Sequence, residues 1–157
     1  MSDDAASPTE AEGAKALVAQ VFSDSAESYD QVIDFFAPFG QALVDGAGLA
    51  PGDQVLDVAS GRGACLHPAL EAVGPTGFVT GIDLAPGMVD ALGADLAARG
   101  IDNASVRVGD AEVLDVPDAS FDAVLAGFMI FFCPDPDRVL AEFARVLKPG
   151  GIVALTV

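Results

Sequence analysis

Three acidic residues stand where apolar, β-branched runs give way to turns: Asp57 in VLDVASGRGACL, Asp83 in VTGIDLAPGM and Asp110 in VRVGDAEVLDVPDASFD. Acids so placed, each with glycine nearby, suit a nucleoside. Gly61 and Gly63 allow a backbone turn to approach a ligand closely, and the helix they lead into favours an anionic group at its N-terminus by roughly 0.3–1 kcal/mol. Asp83 lies twenty residues after Gly63, a spacing at which a carboxylate can accept both hydroxyls of a ribose. Its alternative role is an N-cap-like acid ahead of Pro86. Asp110 follows Gly109 at a strand end and could accept an adenine amino group, with the backbone of Ala111 and Glu112 making the complementary contacts. Met88 could pack on the base or serve as core filler.

Two glycines one residue apart do not by themselves choose a ligand. A dinucleotide fingerprint would read G-x-G-x-x-G, the third glycine permitting close helix–strand packing. That third position is Leu66, which disfavours NAD, as does an acid suited to the adenine edge at 110. The single histidine, His67, is the natural candidate for a general base, but its place one turn into the helix directs it away from an acceptor. No catalytic residue and no metal site is assigned from the sequence.

The elements that must position these acids follow from hydrophobic spacing. Strands are expected over 54–59, 78–83, 104–108, 122–127 and 151–157, and helices or loops alternate with them. Five strands with crossovers imply a parallel sheet covered on both faces, a doubly wound α/β fold. The helix expected over 135–147 carries Val139, Leu140, Phe143, Val146 and Leu147 on one stripe, with KPGG as its stop signal. Ahead of the sheet, Leu17, Val18, Val21 and Phe22, then Val32, Ile33, Phe35 and Phe36, recur at helical spacing. Pro38 and Gly40 should interrupt that pattern before a short helix over 41–47. The domain reading is a mobile acidic N-terminus over 1–14, a helical segment over 15–50 and a cofactor-binding domain over 51–157.

Bulk properties narrow the partners. With 157 residues and a net charge of −17, the chain's field repels phosphate backbones and anionic lipid, which argues against nucleic acid as a partner. Two cysteines, Cys65 and Cys133, make neither a disulfide framework nor a C-x-x-C site. The longest apolar run, 123–133, falls short of the ~20 residues a membrane helix needs, and no signal-peptide pattern opens the chain. A soluble cytoplasmic protein is expected.

VLDVASGRG, GIDLAPGM, GDAEVLDVPDASFDAV and RVLKPGG, in that order, resemble the successive motifs of the class I S-adenosylmethionine-dependent methyltransferases. The likeness is to the ubiquinone/menaquinone-biosynthesis-type branch and its natural-product relatives, and it runs from about Val21 onward. It implies a Rossmann-like sheet of order 3-2-1-4-5, S-adenosylmethionine as cofactor and a small-molecule methyl acceptor. Carried over by position, Gly61 and Gly63 would lie against the methionine part, with Asp57 ordering the loop and its ammonium. Asp83 would hold the ribose, Met88 would cover the adenine, and Asp110 with Ala111 would read its edge; Ala59, Ser60, Leu84, Gly109 and Glu112 would also bind the cofactor. Gly127 and Phe128 would line the cavity near the sulfonium, and the pair Tyr29-Asp30 matches one that closes over the cofactor.

Two departures stand out. The family usually has a small residue or cysteine at the Ser60 position and often threonine at the Arg62 position; whether Arg62 faces solvent or aids carboxylate binding is open from sequence. The family's further strands are absent after GGIVALTV, so a missing C-terminal segment or a second chain is expected to complete the sheet edge. The competing readings are a nicotinamide-dependent oxidoreductase, and a cofactor-binding or partner-binding fragment without catalysis of its own.

Overall fold

The computed structural model describes residues 8–29 and 35–157. The elements, in chain order, are α1 (Pro8–Ser25), α2 (Phe36–Ala47), β1 (Gln54–Val58), α3 (Leu66–Val73), β2 (Phe78–Asp83), α4 (Pro86–Ala98), β3 (Ala104–Val108), β4 (Phe121–Gly127), a 3-10 turn (Ile130–Phe132), α5 (Pro136–Val146) and β5 (Leu147–Thr156). All five strands pair in parallel in the order β3-β2-β1-β4-β5. This is the doubly wound α/β fold expected from the alternation of apolar runs and helices.

The apolar runs are continuous because both faces of the central strands are covered. Side chains alternate along a strand, so Val55 enters one core with Val79, Leu66, Val73, Leu92 and Leu125, beneath Leu43 and Val44 of α2. Its neighbours Leu56 and Val58 enter the other, with Ile82, Val124 and the α5 residues Val139, Phe143 and Val146. Leu56 aligns with Thr80 on one side and Val124 on the other. The carboxyl ends of β1, β2 and β4 are thereby brought side by side.

Several local expectations need correcting. The N-terminal helix starts at Pro8 rather than Lys15, so residues 8–14 are helical; residues 1–7 lie outside the described residues, as do Val32 and Ile33. On α1 only part of the apolar stripe is covered, Leu17 and Val21 being exposed while Val18 and Phe22 line a cleft. Pro38 and Gly40 do not break α2. Pro38 is its third residue, where the N–H needs no intrahelical partner, and Gly40 is a contact point. A Cβ there would sit 2.1 Å from the Ala64 carbonyl oxygen, so glycine lets α2 pack directly on the turn after β1.

At the other end Asp135 caps α5, accepting from the Arg138 N–H at 3.0 Å. Leu140 is exposed, and KPGG belongs to the first part of β5 rather than to a stop loop. The β5 register shifts there, Phe121 facing Leu147 and Ala123 facing Ile152.

Gly40→Ala is expected to lower the unfolding free energy by about 1–3 kcal/mol, the range for overpacking a tight contact. Denaturant titration would measure it, and an unchanged midpoint would show that α2 does not rest on the Ala64 backbone.

Candidate functional site

The carboxyl ends of the strands open into one cleft of about 850 Å³, within the usual range for small-molecule sites. Each of the fifteen positions singled out from sequence as cofactor-binding lines it: Tyr29, Asp57, Ala59, Ser60, Gly61, Gly63, Asp83, Leu84, Met88, Gly109, Asp110, Ala111, Glu112, Gly127 and Phe128. Asp30 lies outside the described residues.

The floor is built from β1 and β2. After β1 the chain turns through Ala59, Gly61 and Gly63, all at positive φ; a side chain on Gly63 would also collide with His67 and Leu92. Asp83 organises this turn. Its Oδ2 accepts from the Gly61 N–H at 2.8 Å and its Oδ1 from the Ala85 N–H at 2.9 Å, so the local capping role and the cleft-lining role are both real. Each oxygen keeps capacity for a second hydrogen bond.

Asp57 is buried at 1% exposure, and its Oδ2 has no hydrogen-bond partner; neither has the buried Ser60 hydroxyl. Burial first, and then the neighbouring Asp83 charge, push the Asp57 carboxyl up to about 8, against the lowering effect of the Leu66 N–H. Burial also raises Asp83, opposed by the N–H groups of Ala85, Gly61 and Leu84. Two buried carboxyls, one with an orphaned oxygen, form a pocket complementary to a cation and to hydroxyl donors.

The third acid is more heavily engaged than the sequence suggests. Asp110 accepts from the Lys15 ammonium at 2.7 Å through Oδ2 and from the Glu112 N–H at 2.9 Å through Oδ1. That bond engages the Glu112 N–H, a backbone group expected to make a complementary contact to an adenine. The Glu112 side chain is a structural tie instead, its Oε2 accepting from Lys15 at 2.5 Å and its Oε1 from the Asp135 N–H at 3.0 Å.

Arg62, which also lines the cleft, is tied to two other elements. Its guanidinium donates to the Ala26 carbonyl at 2.7 Å and to Asp95 at 2.5 Å, which ties the glycine turn to the N-terminal segment and to α4. His67 sits 2.9 Å from the Arg99 guanidinium through Nδ1. Met88 is buried with Ala26 and Ala85, against Phe22 and Tyr29. Burial raises both thiols, Cys65 further through Asp57, and Cys133 to about 11 with help from Glu112 and Asp110. Neither is a thiolate near neutral pH. Among the described residues no group of His, Cys, Asp and Glu could hold a metal ion.

Much of the remaining cleft wall is aromatic, and sequence reasoning missed most of it. Phe128, held at φ 51, donates its N–H to both the carbonyl and the hydroxyl oxygens of Thr156, at 3.2 and 3.0 Å. Its ring packs on Phe39 and Phe36 with centroids 5.2 and 5.7 Å apart. Tyr29 stacks on Phe36 at 5.4 Å, and Phe22 meets Phe132 at 5.5 Å. A signal was present, since seven of the ten phenylalanines fall in two short stretches and at Phe22, but only packing shows that six of these, all but Phe35, share a cavity.

Residues 55–151 match the methyltransferase domain family, and the chain belongs to it. Its fold and family are those of the class I S-adenosylmethionine-dependent methyltransferases, whose cofactor is S-adenosylmethionine. The chain is 43% identical over 143 residues to the aklanonic acid methyltransferase DauC of Streptomyces sp. (strain C5), covering 90% of this chain and 65% of that protein. It is 44% identical over 137 residues to the nocamycin O-methyltransferase of Saccharothrix syringae, covering 87% and 49% respectively. A crystal structure of a SAM-dependent methyltransferase from Aquifex aeolicus superposes with a TM-score of 0.69 at 28% identity, over 74% of this chain and 62% of that one. The chain thus spans between half and two thirds of the length of these curated relatives. The nicotinamide alternative is left without support.

The Asp57 carboxyl gives a pH dependence with a definite sign. Between the ordinary value of 3.8 and about 8, the folded chain holds a proton that the unfolded chain has lost, so stability falls as pH rises through that window. Asp57→Asn is expected to exceed the parent in stability at pH 8 and to differ less at pH 4. Denaturation midpoints across that range would check it; parallel curves for the two proteins would count against the buried-acid assignment.

Proposed function

We propose that the whole protein transfers the methyl group of S-adenosylmethionine to a small, flat, largely apolar acceptor, and that this chain supplies the cofactor site and one wall of the acceptor site. The orphaned Asp57 oxygen beside Asp83 is the observation that carries the reading. A buried acid without a partner is costly unless a cation meets it, and the ammonium of the methionine part is such a cation. In this reading Ala59, Ser60, Gly61 and Gly63 bound the methionine part, and Asp83 with Leu84 takes the ribose. Met88 underlies the adenine, while Asp110, Gly109 and the Ala111 N–H read its edge. Glu112 acts through Lys15 and not by its own backbone.

The cofactor, when bound, supplies an electrophilic methyl on a sulfonium. The residues of this chain then have to align donor and acceptor, since near-attack positioning can be worth ~7–11 kcal/mol of a displacement barrier. Phe128 and Gly127 at the end of β4 border the reacting position, with Tyr29 above it. The rings of Phe36 and Phe39 offer a flat face for stacking and keep water from the sulfonium. His67, engaged with Arg99, is not assigned as a base. Aklanonic acid and nocamycin, which figure in the names of two relatives, set the size class we infer for the acceptor. The free thiols and the absence, among the described residues, of any helix long and apolar enough to cross a membrane fit the cytoplasmic location we propose.

Beyond Lys148 and Pro149 at its start, the edge strand β5 carries exposed Ile152, Val153 and Leu155, with no further charge or proline to protect that part of the edge. A groove beside it is lined by Phe39, Leu43, Val153 and Leu155. We therefore propose that further polypeptide, in the same protein or from a second chain, pairs with β5 and completes the acceptor side.

Two measurements test these proposals. Asp83→Ala should weaken S-adenosylmethionine and S-adenosylhomocysteine binding at least about tenfold in calorimetry, the loss expected for a charged hydrogen-bond acceptor; unchanged affinity, or tight NAD binding by the parent with no response to the sulfonium, refutes the site. For the edge, light scattering on the present chain should show self-association, and a monodisperse monomer with full transfer activity would sink the idea.

A further inference from the structure

The adenine end of the cleft contains a cation from an unexpected place. Lys15 belongs to α1, 95 residues from Asp110 in sequence, yet its ammonium lies 2.7 Å from Asp110 and 2.5 Å from Glu112. Its side chain is only 20% exposed, unlike an ordinary surface lysine. The helix that carries it is seated firmly: the Gly87 N–H donates to the Ser23 hydroxyl at 3.1 Å, and a Cβ on Gly87 would meet the Ser23 backbone at 2.7 Å. The Lys15 stem is therefore delivered by a packed element rather than by a loose arm.

We infer that Lys15 is a positioning residue that sets base selectivity, by fixing the Asp110 carboxylate in the orientation that accepts an exocyclic amino group. This rests on the cleft reading above, in which Asp110 meets the adenine edge. Like charges meet at this point. Asp110 and Glu112 are two residues apart in a chain of net charge −17, and the Glu112 side chain is 9% exposed, so Glu112 cannot swing out to relieve a like charge. With one ammonium between them the two acids are held together, and Asp110 is gripped from two sides, by Lys15 on Oδ2 and by the Glu112 N–H on Oδ1. Each oxygen keeps a lone pair for a further donor. A ligand presenting an amino group meets an acceptor that cannot rotate, whereas a ligand presenting a carbonyl meets fixed negative charge. Without Lys15, Asp110 gains freedom to turn toward solvent and the distinction weakens.

The test compares S-adenosylhomocysteine with S-inosylhomocysteine, which carries a carbonyl in place of the amino group, by calorimetry on the parent, Lys15→Met, Lys15→Arg and Asp110→Asn. The parent should prefer the adenine compound by at least about thirtyfold, within the range for a charged hydrogen bond gained or lost. In Lys15→Met the preference should collapse to within about threefold, and Lys15→Arg should restore most of it. A purely structural role would weaken both ligands by the same factor; that outcome, or an unchanged ratio in Lys15→Met while Asp110→Asn abolishes selectivity, overturns the proposal and leaves the cleft reading standing. If the parent does not distinguish the two compounds and Asp110→Asn changes nothing, the cleft reading fails and this inference with it.

Discussion

Two carboxyls buried at the ends of adjacent strands are the constraint around which the rest is arranged. Asp57 and Asp83 are close enough for the charge of one to raise the pKa of the other, and water does not screen them. Asp83 is stabilised by the N–H groups of Gly61 and Ala85, which is why the turns after β1 and β2 take the shapes they do. Asp57 keeps an oxygen without a partner. A fold that tolerates this gives up stability at neutral pH and gains a pocket prepared for a cation.

The parallel sheet makes the arrangement possible. Crossovers bury both faces, and the alternation of Val55 with Leu56 into two separate cores fixes the strands firmly enough for their carboxyl ends to face one space. The N-terminal segment then closes that space. It is attached through Lys15 to the loop after β3, through Ser23 to α4, and through the Ala26 carbonyl to Arg62. Of the chain's seven basic residues, the two that line the cleft both serve this attachment. Screening should therefore bear on α1 more than on the sheet, whose cores are apolar.

The other wall has a different origin. Phe128 adopts a left-handed backbone that costs a β-branched or bulky residue free energy, and Thr156 on the neighbouring strand holds it there with two acceptors for one N–H. The ring is thereby aimed at Phe36 and Phe39 from α2. The aromatic surface exists only because a helix ahead of the sheet and a turn after the fourth strand converge on the same opening.

What was legible in the sequence was whatever depends on neighbours along the chain. The β2 and β3 limits, the sheet order implied by the family motifs, and the acids at the strand ends follow from period, turn residues and motif order, all of them local. Pro38 and Gly40 misled because a breaker's effect depends on position within a helix and on what lies opposite, here the Ala64 carbonyl. The direction taken by Arg62, the capture of Asp110 by Lys15, the turning inward of the Glu112 N–H and the convergence of the phenylalanines were decided only by tertiary structure. They are contacts between segments tens of residues apart, and the choice of partner for a charge or a ring is made by whichever group packing brings within reach.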